Sequence, residues 1–491
     1  MSALVASRRR HAARWIPWIA AAIAALQVLD HAVGEERSAA GFGGALEVTV
    51  VNLDVTVRDR DGRPVSGLEA GDFRVFEDGI EVPISNFSAI DGNLADAPPT
   101  AAADGPPPTL LPVWVVLHVD NEHILPMSRK RVLRGVRSFV ENFMTEGVRV
   151  AVSSSRRSLR LRQPFTDDPN EVLSALEQVA RESSGCLPRH RQRQMIMERM
   201  EDFAVDRAGL RLENVRTFDE RVVRIQIREQ ILAFAEEESD ALIDAFAALH
   251  GVVGLLAGLE GRRAVIYVSG GLPITPALDL MTEYAEIFAD PTIFTLLGDQ
   301  QSTRELRRLA SAANGHRVRL YAIDATGLTV AEGFSAADRV VPRARASWTG
   351  QADHQHSLEY IADATGGLAV RNTNDPSDGL SRIVADLSFV YSLGYQTPAR
   401  SADEVRRLHV SLPEHPELEV RCRRWVVHKS ADTRFRERVR SALLRPPPDN
   451  PLDLRVRAGV PSSTDRGLWE VPIVVSVPIR QLTLAQESDH L

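Results

Sequence analysis

The sequence predicts an α/β protein: a doubly wound, mostly parallel sheet with an antiparallel edge, a long helical insertion, and small β-domains at the N- and C-terminal ends. Three observations carry this. Val113–Val119 is an unbroken apolar run, as expected of a strand buried on both faces of a parallel sheet. Apolar runs then alternate with amphipathic segments, the rhythm of βα units. Before and after this region, period-two alternation bounded by turn residues marks antiparallel strands. A chain of 491 residues with 44% hydrophobic residues has room for two or three domains.

Arg8, Arg9, Arg10 and Arg14 precede an apolar run from Trp15 to Leu29, followed by Ala32-Val33-Gly34. A basic start, an apolar stretch and small residues are the organisation of a signal peptide, here 1–34 with cleavage before Glu35. Pro17 and Asp30 make the run a poor membrane span. Export to the periplasm or cell exterior is expected, with membrane contact only if the segment is retained as an anchor. The formal charge of -8, from 66 acidic and 58 basic residues, points to no nucleic-acid partner. An oxidising compartment permits Cys186 and Cys422 to pair, but the sequence leaves a disulfide and two separate thiols equally open.

Residues 46–90 read as a small β-domain. Leu53, Val55 and Val57 alternate with polar residues before the Asp61-Gly62 turn, and a second hairpin turns at Asp78-Gly79 into Ile80, Val82 and Ile84. Residues 91–112, rich in Ala, Pro, Gly and Asp, read as a linker. The α/β domain is placed at 113–430. Val132, Val136, Phe139, Val140 and Phe143 lie at helical spacing, and Gly147 ends that helix before a strand at Val148–Val152. A helix at Asn170–Ala180, strands at Ala264–Ser269 and Val318–Ile323, a helix near Leu358 and a short strand at Leu368–Val370 follow. Val390–Tyr395, Leu408–Leu412 and Leu418–Arg424 are joined by links too short for crossover helices, so they are expected to form the antiparallel edge of the sheet.

The insertion spans 182–259. Val215, Phe218, Val222, Ile225 and Leu232, then Leu242, Phe246, Leu249, Val253 and Leu256, step at three and four residues. A helical hairpin packed on the sheet and a projecting coiled-coil arm both fit this pattern. After Pro446-Pro447-Pro448, alternation at Leu452, Leu454 and Val456 and again from Val471 to Val477 marks an incomplete β-domain over 446–491.

The order of motifs resembles the bacterial exported proteins with a von Willebrand factor type A-related domain. The likeness runs from Val50 to about Trp425. It rests on Val65-Ser66-Gly67-Leu68 with Asp72-Phe73 and Glu77-Asp78-Gly79, on Gly261-Arg262-Arg263-Ala264-Val265-Ile266 leading to Ser269-Gly270-Gly271, and on Tyr321-Ala322-Ile323-Asp324-Ala325-Thr326-Gly327-Leu328. Ala362-Asp363-Ala364-Thr365-Gly366-Gly367 and Tyr391-Ser392-Leu393-Gly394-Tyr395 complete it. The resemblance implies a Rossmann-like sheet and a role in adhesion or protein binding through a divalent ion held at the carboxyl ends of the strands.

The family pattern for that ion is Asp-x-Ser-x-Ser after the first strand, a Thr in a later loop and an Asp after the fourth strand. Here Asp120 retains the first position, Glu122 and Ile124 replace the serines, Asp240 stands at the threonine position and Gly270 at the last Asp. Asp120, Glu122 and Asp240 are therefore the candidate metal ligands, but a hard ion such as Mg²⁺ demands near-octahedral oxygen geometry that two of these five positions cannot supply. The leading expectation is a metal-independent protein-binding or structural module with no cofactor, in which Asp120 and Glu122 cap the following helix. A Mg²⁺- or Mn²⁺-dependent adhesin with a modified site is the alternative.

A third reading, an exported hydrolase, starts from Ser269 at a strand end. Tyr267 stands where a nucleophile elbow needs glycine, and no histidine can be assigned to a triad, so no catalytic role is expected. Asp353-His354-Gln355-His356 is expected in a solvated loop, and Asp324 as a turn residue bonding its own backbone.

Overall fold

The computed structural model describes residues 48–91, 112–144, 147–207, 220–296, 301–328, 343–398, 403–444, 450, 452–463 and 469–481. The expected signal peptide, nearly all of the linker, and Val215 and Phe218 of the insertion stripe lie outside the described residues.

Four strands come first: β1 (Val48–Arg58), β2 (Arg74–Glu77), β3 (Ile80–Val82) and β4 (Ile84–Asp91). The α/β units follow as β5 (Val113–Asp120), α1 (Pro126–Phe143), β6 (Val148–Ser155), β7 (Leu159–Thr166), α2 (Pro169–Ala180), α3 (Cys186–Arg207) and α4 (Glu220–Leu256). They continue with β8 (Arg262–Ser269), α5 (Leu278–Phe288), α6 (Gln301–Gly315), β9 (Val318–Asp324), α7 (Arg343–Ala364), β10 (Ala369–Val370) and α8 (Ser377–Ser388). Then come β11 (Phe389–Pro398), β12 (Glu404–Ser411), β13 (Glu419–Arg421), β14 (Trp425–His428) and α9 (Ala431–Leu444).

The main sheet has six strands in the order β10-β9-β8-β5-β6-β7, and its neighbours are parallel except at β7, which runs against β6. Counted from β5 this is the doubly wound order, with its switch point between β5 and β8. All of β5 is buried. Val113, Val115, Leu117 and Val119 pack toward α1, α2 and α8, whereas Trp114 and Val116 pack toward α4, α6 and α7. The continuous apolar run is thus the consequence of helices on both faces. Along α1 the expected stripe Val132, Val136, Phe139, Val140 and Phe143 is buried.

The antiparallel edge is β7, not the three strands from Val390 onward. β11 buries Tyr391, Leu393 and Tyr395 on one face, a pattern suited to a two-layered antiparallel structure rather than to a strand covered by helices twice. It pairs with β1 and β4, and β12 pairs with β2 and β14. The strands expected to form a small domain at 46–90 therefore do not close on themselves. They build two four-stranded sheets, β13-β1-β11-β4 and β14-β12-β2-β3, around a core containing Leu53, Val55, Phe73, Val75, Leu393 and Val410.

The insertion is a helical hairpin packed on the fold. At about 1.5 Å per residue the 37 residues of α4 extend roughly 55 Å. Its second half buries Leu242, Phe246, Leu249, Val253 and Leu256 in the core beneath the sheet, as the spacing predicts. Its first half turns a different face inward: Ile227, Ile231 and Phe234 are buried with Ile196 and Met200 of α3 and Leu280 and Tyr284 of α5, while Val222 and Ile225 are exposed. By length and composition α4 could cross a membrane, but half of its most apolar window is buried inside the fold, as in a core helix.

The C-terminal unit, taken by itself, contains β15 (Arg455–Ala458), β16 (Ser462–Ser463), β17 (Trp469–Glu470) and β18 (Ile473–Ser476). β15 pairs with β18 and β16 with β17, all antiparallel and exposed.

Candidate functional site

The crevice at the switch point lies where β5 and β8 end, the usual ligand position in open α/β sheets. β5 ends at Asp120, and the residues after it do not begin a helix at once. Asn121 to Leu125 form a loop, and α1 starts at Pro126, whose fixed φ suits a first helical position. The expected capping role is corrected here: the N-cap is Leu125, with no side-chain cap, and Asp120 and Glu122 bond elsewhere.

Asp120 is 1% exposed and accepts hydrogen bonds from five protein donors. Its Oδ1 takes the backbone N–H groups of Glu122 (3.0 Å) and His123 (3.3 Å). Its Oδ2 takes His123 Nδ1 (2.9 Å), the Tyr267 hydroxyl (2.6 Å) and the Ser269 hydroxyl (3.3 Å). Burial alone would raise its pKa, but the His123 charge and the bonds from His123 and Tyr267 outweigh it and hold the carboxyl well below the usual range. Burial and the Asp120 charge push the Tyr267 phenol well up, so it stays a donor. His118, stacked on Tyr267 with ring centroids 5.8 Å apart, is lowered by burial to about 4.

Glu122 is paired with Arg189 of α3. The guanidinium bonds Glu122 Oε1 and, at 2.5 Å, the Glu122 backbone oxygen. One turn on, Arg193 binds Asp279 of α5. Glu122 Oε2 is buried without a hydrogen-bond partner against Gly185, where an added Cβ would lie 2.0 Å from it.

Asp240 does not join this group. It is exposed on α4, and Glu238, two residues earlier, is the side chain that reaches the crevice, accepting from the Ala277 N–H at 2.7 Å. Burial pushes Glu238 up to about 7. A helix turns by about 100° per residue, so a two-residue offset is enough to exchange an inward for an outward position.

The metal pattern therefore does not fit these residues. Asp120 has its lone pairs taken by protein donors, Glu122 faces a guanidinium, Asp240 points to solvent, and Ile124 is buried in the hydrophobic core. Gly270 donates its N–H to the His123 carbonyl at 2.9 Å, and a Cβ there would lie 2.3 Å from that oxygen, leaving no space for an aspartate. Among the described residues no group of three or more His, Cys, Asp or Glu side chains could hold a metal ion.

A cavity of about 330 Å³ opens beside this loop, lined among others by His123, Arg193, Glu238, Asp279 and His354. That volume is at the lower end of small-ligand pockets, which run from about 300 Å³ upward. His123 Nε2 is buried without a hydrogen-bond partner, while Nδ1 is held by Asp120. Asp353-His354-Gln355-His356 lies on α7 rather than in a loop, which brings His354 to the cavity; burial lowers it to about 4. Asp353 accepts the Thr275 N–H, and Asp324 accepts the Thr326 N–H at 2.8 Å as a turn residue and also Gln355 Nε2. Ser269 donates to Asp120 and accepts from the Gly271 N–H; among the described residues no hydrogen bond joins it to a histidine. Cys186 lines the cavity as a free thiol pushed up to about 11 by burial, and Cys422 is also free, so the two do not pair.

Sequence reasoning missed His123, Arg189, Arg193, Glu238 and Tyr267. Two signals were available: His123 stands three residues from Asp120, and Arg189 and Arg193 sit at a one-turn spacing on one helix face.

The solved structures similar to this chain include von Willebrand factor type A proteins. A von Willebrand factor type A structure from Catenulispora acidiphila matches with 10% identity and a TM-score of 0.25, over 73% of this chain and 76% of that one. An aerotolerance-related membrane protein from Bacteroides fragilis matches with 13% identity and a TM-score of 0.26, over 56% of this chain and 98% of that one. Three N-terminal domains of the type V pili tip protein Mfa5 from Porphyromonas gingivalis match with 9% identity and a TM-score of 0.29, over 78% and 69%. No family model and no curated protein matches. Likeness at this level transfers no ligand and no partner.

Proposed function

We propose that the chain is an exported, metal-independent binding module that engages a protein partner at the switch-point crevice. One observation carries the reading: the Asp120 carboxylate is filled by protein donors, while His123 Nε2 on the same loop is left unpartnered beside the cavity. The chemistry of metal-bridged adhesion, an open coordination position offered to a partner's carboxylate, has no counterpart in these residues. In its place stands an imidazole oriented by a carboxylate and able to hydrogen-bond one inserted side chain. A buried polar atom without a partner costs about 1–3 kcal/mol, so an occupant that satisfies it gains a comparable amount.

Immobilised protein incubated with envelope extract, with and without EDTA, tests this. Capture of a partner that is indifferent to EDTA and lost in His123→Leu, with unchanged circular dichroism, is the expected result. Capture that requires Mg²⁺ or Mn²⁺ overturns metal independence, and equal capture by His123→Leu removes the crevice from the interaction.

A further inference from the structure

At the opposite end of the same strands a second pocket gathers arginines. Arg262 and Arg263 open β8, Arg317 precedes β9, Arg319 is its second residue, and Arg423 lies between β13 and β14; all five line one cavity. Two carboxylates line it as well, Asp54 and Asp386, and Asp386 already accepts both Nε and Nη2 of the buried Arg58. Six guanidinium groups thus meet two carboxylates.

Asp54 and Asp386 offset part of this charge, most fully at Arg319, where, against burial, they help to raise the pKa, but two of the other guanidinium groups keep unpaired N–H groups. Arg263 is 7% exposed and its Nε has no hydrogen-bond partner, and the Nε of Arg423 has none either. Among the described residues, Arg319 and Arg423 donate to the backbone carbonyls of Asp54, Asn52 and Asn314 and to the Tyr321 hydroxyl. Burial, then the like charges of Arg317 and Arg423, lower Arg263 to about 10, and burial lowers Arg423 similarly. Arg317 holds a φ of +52°, a left-handed backbone that ordinarily selects glycine. Such backbone, kept where a side chain is needed, is common at ligand sites. Asn314, 1% exposed, adds a buried acceptor: its Nδ2 bonds the Ala364 carbonyl and its Oδ1 has no partner.

We infer that this pocket binds a small tetrahedral oxyanion, phosphate in preference to sulfate. Guanidinium N–H groups match oxyanion geometry, the unpaired Nε–H groups of Arg263 and Arg423 lie on residues of this lining, and clustered cations are relieved of mutual repulsion by a bound negative charge. The cavity measures about 40 Å³. On the scale where one water needs about 10–15 Å³, that is room for roughly three waters and so for one phosphate group. The preference follows from Asn314 Oδ1, which accepts a proton that hydrogenphosphate carries and sulfate lacks near neutral pH.

Thermal unfolding of the full chain in inorganic phosphate, sulfate or chloride at matched ionic strength tests the site. A saturable rise in Tm with phosphate, smaller with sulfate, is expected, because a ligand bound only by the folded state stabilises it. Arg263→Gln and the exposed Arg317→Gln should each weaken the apparent affinity roughly tenfold, the scale of one charged hydrogen bond, and Arg160→Gln on β7 should leave it unchanged. Arg317→Gln keeps the test valid if Arg263→Gln does not fold. Glycerol phosphate in place of the free ion separates a monoester terminal group from orthophosphate. No rise above chloride, or a rise unaltered by Arg317→Gln and Arg263→Gln, overturns the site; equal responses to phosphate and sulfate overturn the preference.

Discussion

The Tyr267 hydroxyl donates to Asp120 Oδ2 at 2.6 Å. The bond ties the end of β8 to the end of β5 across the switch point and occupies an oxygen that the family pattern reserves for a metal. Because the same oxygen also receives His123 Nδ1 and Ser269 Oγ, the carboxylate is stabilised by protein side chains, the His123 charge among them, in the place of a metal ion.

Added Mg²⁺ or Mn²⁺ at millimolar concentration should therefore leave Tm unchanged, and so should EDTA. Scanning calorimetry in the three conditions checks this; an upward shift with Mg²⁺ that vanishes in Asp120→Ala would reinstate the metal.

Asp120 also sets an acid limb. Its folded pKa is depressed below the unfolded value, so its contribution is present above about pH 4 and is lost as pH falls toward the folded value. Asp120→Asn should cost about 3–5 kcal/mol at neutral pH, as for one partner removed from a buried polar network. It should also flatten the loss of Tm below pH 4, which parallel melts from pH 2 to 7 would display.

Glu238 acts in the opposite direction. Burial raises its folded pKa to about 7 from an unfolded value of 4.5, so the stability it confers is full below 4.5 and declines as pH rises toward 7. Glu238→Gln should remove that decline, and a Tm profile equally steep in both proteins between pH 5 and 7 would contradict the assignment.

Gly270→Asp restores the residue type of the metal pattern but not its space. A Cβ 2.3 Å from the His123 carbonyl, and a carboxylate brought near Asp120, should destabilise by about 1–3 kcal/mol or more without conferring Mg²⁺ binding. Urea unfolding with and without Mg²⁺ measures both effects.

In the insertion, Ile231→Ala should cost about 2–5 kcal/mol because Ile231 is fully buried, whereas Val222→Ala, at 47% exposure, should change stability by under about 0.5 kcal/mol. Equal effects in chemical denaturation would favour a freely projecting arm over the packed hairpin.

The sequence by itself determined the repeating units. The apolar run of β5, the stripe of α1 and the second half of α4 are properties of local periodicity, and each buries the residues its spacing picks out. Asp120 was legible as the strand-end acid for the same reason. Only the tertiary structure decided which strands share a sheet, because pairing β11 with β1 joins residues more than 300 positions apart and no local pattern encodes that choice. It also decided the site: Glu238 rather than Asp240 faces the crevice, and Arg189 and Tyr267 complete it, because orientation on a long helix and the identity of a partner across a switch point depend on packing, not on spacing.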